Sequence, residues 1–165
     1  MLVNFEDQPS HARLWIYQAD RFLSQTECGF INDELKPKIA QWAAHGAPLR
    51  GSATIVADRF VVIAVDEDLN APSGCSIDAS THWLRDLGQQ MGITFFDRSV
   101  VYLQDQTFCS VDALRAKKVV ETGEITAQTP VYDTLINTVG EFRLSFPKPA
   151  EETWMKRFFK TVSVD

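Results

Sequence analysis

The sequence predicts an α+β fold with a ferredoxin-like β-α-β-β-α-β core, and three observations on the first 105 residues indicate it. Short stretches of β-branched and aromatic residues alternate with two longer stretches in which apolar residues recur at helical spacing. Capping and turn sequences mark the changes from one type of stretch to the other. The order of the elements is that of a split β-α-β motif. We expect one domain, with residues 1–105 as the core and residues 106–165 as a mostly helical C-terminal extension.

The first strand and the first helix are indicated by composition and by a capping sequence. Residues 12–18 are rich in aromatic and β-branched side chains, which is typical of a strand. Ser24 and Glu27 have the spacing of a capping box, so a helix should begin there. Pro37 should kink this helix because it removes one backbone donor, and Gly46 stands where a C-cap glycine belongs.

The other core elements follow from apolar stretches that turn residues separate. They are strands over 51–57 and 60–65, a helix over about 76–91 and a strand over 99–104. Asp58 and Arg59 should form the hairpin turn between the first two strands, and residues 66–74 should form a loop.

The C-terminal extension is expected to contain two short strands and three helices, and the first strand should pair with the core through a turn at Asp105 and Gln106. In order, we expect a strand over 107–110, a helix over 111–122 that stops at Gly123, a helix opened by Thr129 and Pro130 that ends near Ile136, a strand over 142–146 and a helix over 150–159. The last helix has apolar residues on two faces, which makes it a candidate for a contact with a partner.

The composition favours a reduced, cytoplasmic setting. The formal net charge of −6 argues against a nucleic-acid backbone as partner, and against anionic lipid, because both bind clustered Lys and Arg. The three cysteines are widely spaced and form no CxxC pair, so we expect neither a disulfide framework nor a cysteine-ligated zinc. The N-terminus lacks the pattern of a signal peptide, and the longest apolar stretch, residues 60–65, is too short to span a bilayer.

Most of the residues that could take part in catalysis or ligand binding lie at one end of the predicted sheet. In the predicted topology, the loop around His45 and the loop over 66–75 lie on the same edge. The residues on that edge with reactive or ligand-forming side chains are His45, Asp66, Glu67, Ser73, Cys75, Ser76 and Asp78. His11 and His82 are isolated in the sequence, and we expect them to be surface residues.

The first hypothesis for this edge is a reactive thiol at Cys75, acting as a nucleophile or as a redox sensor. Cys75 should stand at the N-terminus of the second helix, where free N–H groups and the helix dipole favour a thiolate, and His45 could assist it. The negative charge of Asp78 opposes this. In the alternative, Cys75 is a small buried packing residue and Ser76 caps the helix.

The second hypothesis is an anion or nucleotide site on the same loop. Ser73, Gly74 and Ser76 precede a helix and could hold an anion with backbone N–H groups and hydroxyls. The loop contains no Lys or Arg, and acidic residues precede it. An anion would therefore need a divalent cation, with Asp66 and Asp78 as oxygen ligands. In the alternative, the acidic residues form a solvated strand end.

The absence of known catalytic motifs favours a non-catalytic binding or interaction module. The sequence has no P-loop, no GxGxxG after a strand, no GxSxG elbow and no HExxH. Self-association through a sheet face or through the C-terminal helix is one form that this function could take. No cofactor is indicated.

The chain also resembles a family of short bacterial proteins, some of which are described as ABC transporter ATPases. The residues that carry the resemblance are the segments Leu14–Gln18, Trp42–Gly46, Ser73–Ser80 and Arg157–Phe159, with Trp154. An ABC ATPase needs a Walker A lysine loop and an LSGGQ-type signature, and the chain has neither. The resemblance therefore implies no catalytic residues for this chain.

Overall fold

The computed structural model describes residues 1–160, and these form two units, each with its own hydrophobic core. The first unit contains residues 1–97 and 134–144, and the second contains residues 98–133 and those from 145 onward. The strands are β1 Arg13–Gln18, β2 Ala43–Ala44, β3 Ala47–Pro48, β4 Arg50–Val56, β5 Phe60–Asp66, β6 Val100–Gln104, β7 Thr107–Val111, β8 Pro130–Val131 and β9 Lys148–Pro149. The α-helices are α1 Gln25–Ala40, α2 Gly74–Met91, α3 Ala116–Glu121 and α4 Val139–Ser145. The mixed α/β class is confirmed, and the sheets are antiparallel.

The first unit is built on a three-stranded sheet in the order β1-β5-β4. Every residue of the central strand β5 is buried, which explains its continuous apolar sequence. Alternate side chains of the three strands form the core of this unit together with α1 and α2. The helices contribute Ile31, Leu35 and Ile39 of α1 and Leu84 and Leu87 of α2.

The start of α1 is confirmed, but its end differs from the prediction. The Glu27 N–H donates to the Ser24 hydroxyl at 3.1 Å, and the Ser24 N–H donates to the Glu27 carboxylate at 2.9 Å. The helix ends at Ala40, and Gly46 forms the turn of the β2–β3 hairpin with His45. Both turn residues have positive φ, at 50° and 80°, as two-residue hairpin turns require. A glycine suits a C-cap for the same conformational reason, so the sequence alone did not distinguish the two places.

The second unit is built on a four-stranded sheet in the order β7-β6-β8-β9. The β6–β7 hairpin turns at Asp105 and Gln106, as predicted, and both have positive φ. Strand β6 covers the stretch expected as the fourth strand of the ferredoxin-like core. It pairs with β7 and β8 instead, so the described sheet of the first unit has three strands, and the ferredoxin-like arrangement is not confirmed.

The prediction of a helix after Thr129 is wrong. Its place is taken by the short strand β8, whose Val131 pairs with Tyr102 of β6 and with Lys148 of β9. Pro130 suits the first residue of a strand as well as the first turn of a helix, and the pairing partners decide between them.

The prediction of a strand over 142–146 is also wrong, because residues 142–145 belong to α4. The Glu141 N–H donates to the Thr138 hydroxyl at 3.2 Å, which is the N-terminal half of a capping box. The alternating apolar residues there are split between two environments: Phe142 stacks edge-on against Phe5 at 5.6 Å, whereas Leu144 is exposed.

The two other helices predicted for the extension are shorter than expected. The helix expected over 111–122 begins with a 3-10 turn at Ala113–Arg115 and continues as α3. The helix expected over 150–159 is divided into two 3-10 segments, Ala150–Glu152 and Trp154–Phe158, because the Thr153 hydroxyl caps the second one.

The buried guanidinium of Arg59 stabilises the chain where the β4–β5 hairpin turns. It pairs with Asp97 at 3.1 Å, and it donates to the Ala19 carbonyl at 2.9 Å. We expect Arg59→Met to lower the free energy of unfolding by about 3 kcal/mol, since it removes the guanidinium that pairs with the partly buried Asp97 carboxylate. Urea denaturation would measure the loss. The exposed Arg98→Met is the control and should change stability by less than about 0.5 kcal/mol. Equal midpoints for the two variants would contradict this role.

Glu27 gives the chain a pH dependence at acid pH. The Arg21 guanidinium, followed by the Ser24 N–H, lowers the pKa of Glu27 from 4.5 to about 2. A carboxylate with a depressed pKa stabilises the folded state above pH 4.5, and this contribution is lost as the pH falls towards 2. In urea titrations over this range, Glu27→Gln should therefore lose less stability than the unsubstituted chain. Parallel pH profiles would contradict the prediction.

Candidate functional site

The two connections that were expected to share one edge are adjacent. The Asn70 side chain in the loop after β5 donates to the Pro48 carbonyl at 2.9 Å. The Trp42 indole donates to the Ser76 carbonyl in the first turn of α2, also at 2.9 Å. The β2–β3 hairpin, the 67–73 loop and the start of α2 therefore form one rim, which we call the loop rim.

At the loop rim, the first turn of α2 is closed by its own serines. The Ser73 N–H donates to the Ser76 hydroxyl at 2.7 Å, and the Ser76 N–H donates to the Ser73 hydroxyl at 3.2 Å. Ser73 is therefore the N-cap, one turn before the predicted start at Ser76, and Gly74 is the first helical residue. The two hydroxyls expected to hold an anion are occupied by each other and by backbone N–H groups.

Cys75 is the second residue of α2, and its side chain is exposed. The alternative in which it is a buried packing residue is therefore wrong. His45 and Asp78 are exposed as well. Within residues 1–160, no hydrogen bond or ion pair joins Cys75 to His45, so their cooperation stays a prediction.

The other two cysteines differ from Cys75 in exposure. Cys28 is buried in the core of the first unit, and this burial, followed by the charges of Asp58 and Glu27, raises the pKa of its thiol. Cys109 is half-buried on β7. A thiol-specific reagent in solution should therefore react with Cys75 before it reacts with Cys28 or Cys109.

A cluster that sequence reasoning missed lies at the end of β5. His11 Nε2 lies 2.8 Å from Asp68 Oδ2 and 4.0 Å from Asp66 Oδ1. The Asp68 N–H donates to Asp66 Oδ1 at 3.0 Å, and Arg50 lies 3.5 Å from Asp66 Oδ2. We call His11, Asp66 and Asp68 the His–Asp cluster. Asp78, the expected partner of Asp66, is not part of it.

Strand pairing could have revealed the His–Asp cluster. Strand β1 pairs antiparallel with β5 so that Arg13 lies opposite Val65. This register places residue 12 opposite Asp66 and brings His11 to the same end of the sheet. The pairing of these two strands is part of the split β-α-β pattern. The predicted topology could therefore have indicated the His–Asp cluster, whereas the spacing of its residues in the sequence could not.

His45, Asp66 and Cys75 line none of three surface cavities formed by the described residues 1–160. The cavities measure about 160 Å³ beside α1, 410 Å³ beside the C-terminal half of α2 and 320 Å³ around residues 151–160. The candidate residues of the loop rim therefore surround no cleft among these three.

Comparisons with known proteins assign this chain to no family. No family model, no curated protein and no solved structure matches it. The resemblance to the family of short bacterial proteins therefore stays a prediction. Among residues 1–160, no helix combines the length and hydrophobicity that crossing a membrane demands.

The exposure of Cys75 predicts its order of reaction. With iodoacetamide under native conditions, Cys75 should be alkylated before Cys28 and Cys109, as followed by peptide mass spectrometry. A thiol activated by the helix N-terminus and His45 should also react faster near pH 7 than a free thiol with a pKa of about 8.5. His45→Gln is the matched variant. If that variant and the unsubstituted chain both react at the rate of a free thiol, the thiol-enzyme hypothesis fails.

Proposed function

We propose that this chain is a non-catalytic, cytoplasmic binding module that receives an extended segment of a partner protein as an additional strand along β4. The observation that carries the proposal is an open stretch of backbone on the outer edge of β4, next to α1. The alternation of hydrogen bonds along this strand identifies the stretch.

The N-terminal residues already occupy the first part of this edge. The Gly51 N–H donates to the Met1 carbonyl at 2.9 Å, and the Val3 N–H donates to the Gly51 carbonyl at 2.9 Å. The pairing is parallel, with Leu2 opposite Gly51. The outer edge of β4 therefore accepts a strand, and part of it carries one.

The rest of the edge is open. In an antiparallel pair, every second residue directs its N–H and C=O away from its partner strand. Because Gly51 directs both groups outward, Ala53 and Ile55 do so too. In the described part of the chain, neither residue has a hydrogen-bond partner on that side. The strand has four such groups to offer to an incoming peptide.

A small cavity lies directly beside this open edge. It measures about 160 Å³ and is lined by Ala53 and Thr54 of β4, by four residues of α1, and by the N-terminal segment 2–6. Metabolite sites measure about 300–1,000 Å³, so this cavity suits a single side chain better than a small molecule. A strand beside a helix, with a side-chain pocket between them, is a recurring mode of peptide recognition.

The sequence of the open edge also supports an interface. Residues 53–56 carry no charge and no proline, and all four are half-buried. Free edges of natural sheets are usually protected by lysine, proline or a bulge, because an unprotected edge pairs with other chains. A partner strand would satisfy this edge. A second copy of the chain, paired β4 to β4, is the other occupant that the same surface admits.

The C-terminal segment 150–159 supports self-association less than its sequence suggested. Met155 is fully buried, and Phe158 and Phe159 pack against the core of the second unit. Three of the apolar residues that had marked this segment as an interface are thus used within the chain, whereas Trp154 is exposed.

Two finer predictions are part of the same proposal. The order β1-β5-β4, with β5 between two strands that run the same way, is that of a split β-α-β unit, which supports a ferredoxin-like relation for the first unit. The net charge of −6 supports a protein partner over nucleic acid, and three free cysteines support a reducing compartment.

Ala53→Pro tests the proposal because it removes an outward N–H that the sheet does not use. Proline is tolerated on the outer side of an edge strand, so the variant should fold, with the urea midpoint as the check. Peptides would be selected on the unsubstituted chain from a displayed random library and then titrated by fluorescence anisotropy. Ala53→Pro should weaken their binding by at least about tenfold, which corresponds to one lost hydrogen bond that leaves its partner unsatisfied.

Ala53→Val is the matched control, because it keeps the N–H and should retain binding. If selected peptides bind Ala53→Pro as tightly as Ala53→Val, the β4 edge is not the binding surface. A dimer in sedimentation equilibrium that Ala53→Pro dissociates would identify the second copy as the occupant, and the partner-peptide proposal would then be wrong.

A thiol-dependent enzyme or redox sensor using Cys75 with His45 is the second candidate function. The exposure of Cys75 in the first turn of α2 favours it, and the alkylation experiment above decides it.

A further inference from the structure

We propose that the His–Asp cluster binds one divalent transition-metal ion of the Zn²⁺ or Co²⁺ type. This site is separate from the β4 edge, and it differs from the pair Asp66 and Asp78 expected from the sequence. It contains one imidazole nitrogen and two carboxylates, and the three ligand atoms all lie within 4.8 Å of one another.

The spacing of the donor atoms suits a single ion. Zinc binds histidine nitrogen and carboxylate oxygen at about 2.0–2.2 Å, so two ligands of one tetrahedral ion lie roughly 3.4 Å apart. The His11 nitrogen lies 2.8 Å from Asp68 Oδ2 and 4.0 Å from Asp66 Oδ1, one distance on each side of that value. Each of the two His11 distances thus differs from that value by about 0.6 Å, and the third separation is at most 4.8 Å.

The backbone holds the donors in place from two sides. His11 precedes Ala12, which is fully buried and whose N–H and C=O are bonded to Pro9 and Val139. Asp66 ends the buried strand β5, and Asp68 is fixed through its N–H on Asp66. Metal binding would therefore cost little conformational entropy of the backbone.

Arg50 distinguishes the two oxygens of the Asp66 carboxylate. It lies 3.5 Å from Oδ2, whereas Oδ1 is the oxygen nearer to His11. Oδ2 is therefore paired with the Arg50 guanidinium, whereas Oδ1 accepts the Asp68 N–H and is the oxygen on the side of His11. Arg50 also lowers the negative charge near the site, which disfavours hard cations that bind through charge alone.

The chemistry of the donors selects the class of metal. Imidazole favours Zn²⁺, Co²⁺ and similar ions, whereas Mg²⁺ and Ca²⁺ prefer sites built only from oxygen. The side chains of His11 and Asp68 are 61% and 69% exposed. With three protein ligands and an open outer side, water would occupy the remaining position, as in metal sites that exchange ligands.

Titration of the metal-free chain with Co²⁺ and Zn²⁺ tests the proposal. We expect one ion per chain by isothermal calorimetry, and a Co²⁺ absorption spectrum that Zn²⁺ displaces. His11→Gln and Asp68→Asn should each weaken binding by at least about tenfold, the smallest effect usual even for a residue outside the ligand shell. His82→Gln, which changes an exposed histidine of α2, is the matched control and should bind like the unsubstituted chain.

Both ligand variants change exposed side chains, so they should fold, and the urea midpoint verifies this. No Co²⁺ spectrum in the unsubstituted chain would overturn the proposal, as would equal affinities of His11→Gln and His82→Gln. Ala53→Pro should bind the metal normally. Failure of the peptide experiment therefore leaves this site untouched, and the reverse also holds.

Discussion

The complete burial of β5 is the constraint on which the first unit depends. A strand that is covered on both faces and paired on both edges admits charge only at its ends, because a buried charge without a partner is costly. The two ends of β5 follow this rule. Arg59 precedes the strand and is paired with Asp97, and Asp66 ends it and is paired with Arg50.

This constraint also positions the candidate metal ligands. Asp66 cannot move without disturbing the last pair of the β4–β5 ladder, and its register relative to β1 brings His11 to it. The other proposed surface depends on the same sheet in a different way. Since β5 occupies the inner edge of β4, the outer edge of β4 is the one that meets the N-terminal residues and leaves Ala53 and Ile55 open.

Features determined by local chemistry could be predicted from the sequence. The capping box at Ser24 and Glu27, the apolar strand β5 and the hairpin turn at Asp105 and Gln106 depend on residues close together in the chain. Features determined by pairing with strands distant in the sequence could not be predicted. Pro130 is compatible with a helix and with a strand, and only Tyr102 and Lys148 make β8 a strand.

The candidate sites show the same division. The position of Cys75 near a helix start followed from a local serine-rich sequence, whereas its exposure depends on packing. The His–Asp cluster joins residues more than fifty positions apart, so no spacing pattern could indicate it. To predict the open edge of β4, one would have to know that Gly51 and Ala53 direct their backbone N–H and C=O groups outward and that Ser52 does not.

The first unit is discontinuous, and this affects the order in which it can be completed during synthesis. Its residues 134–144 are made only after 98–133, which belong to the second unit. Until then the Leu14 N–H lacks its acceptor, the Asn137 carbonyl, and the neighbouring end of β1 is uncovered. A nascent chain on the ribosome must therefore carry an unfinished sheet edge while more than thirty further residues are added, a state in which pairing with a neighbouring nascent chain competes with folding.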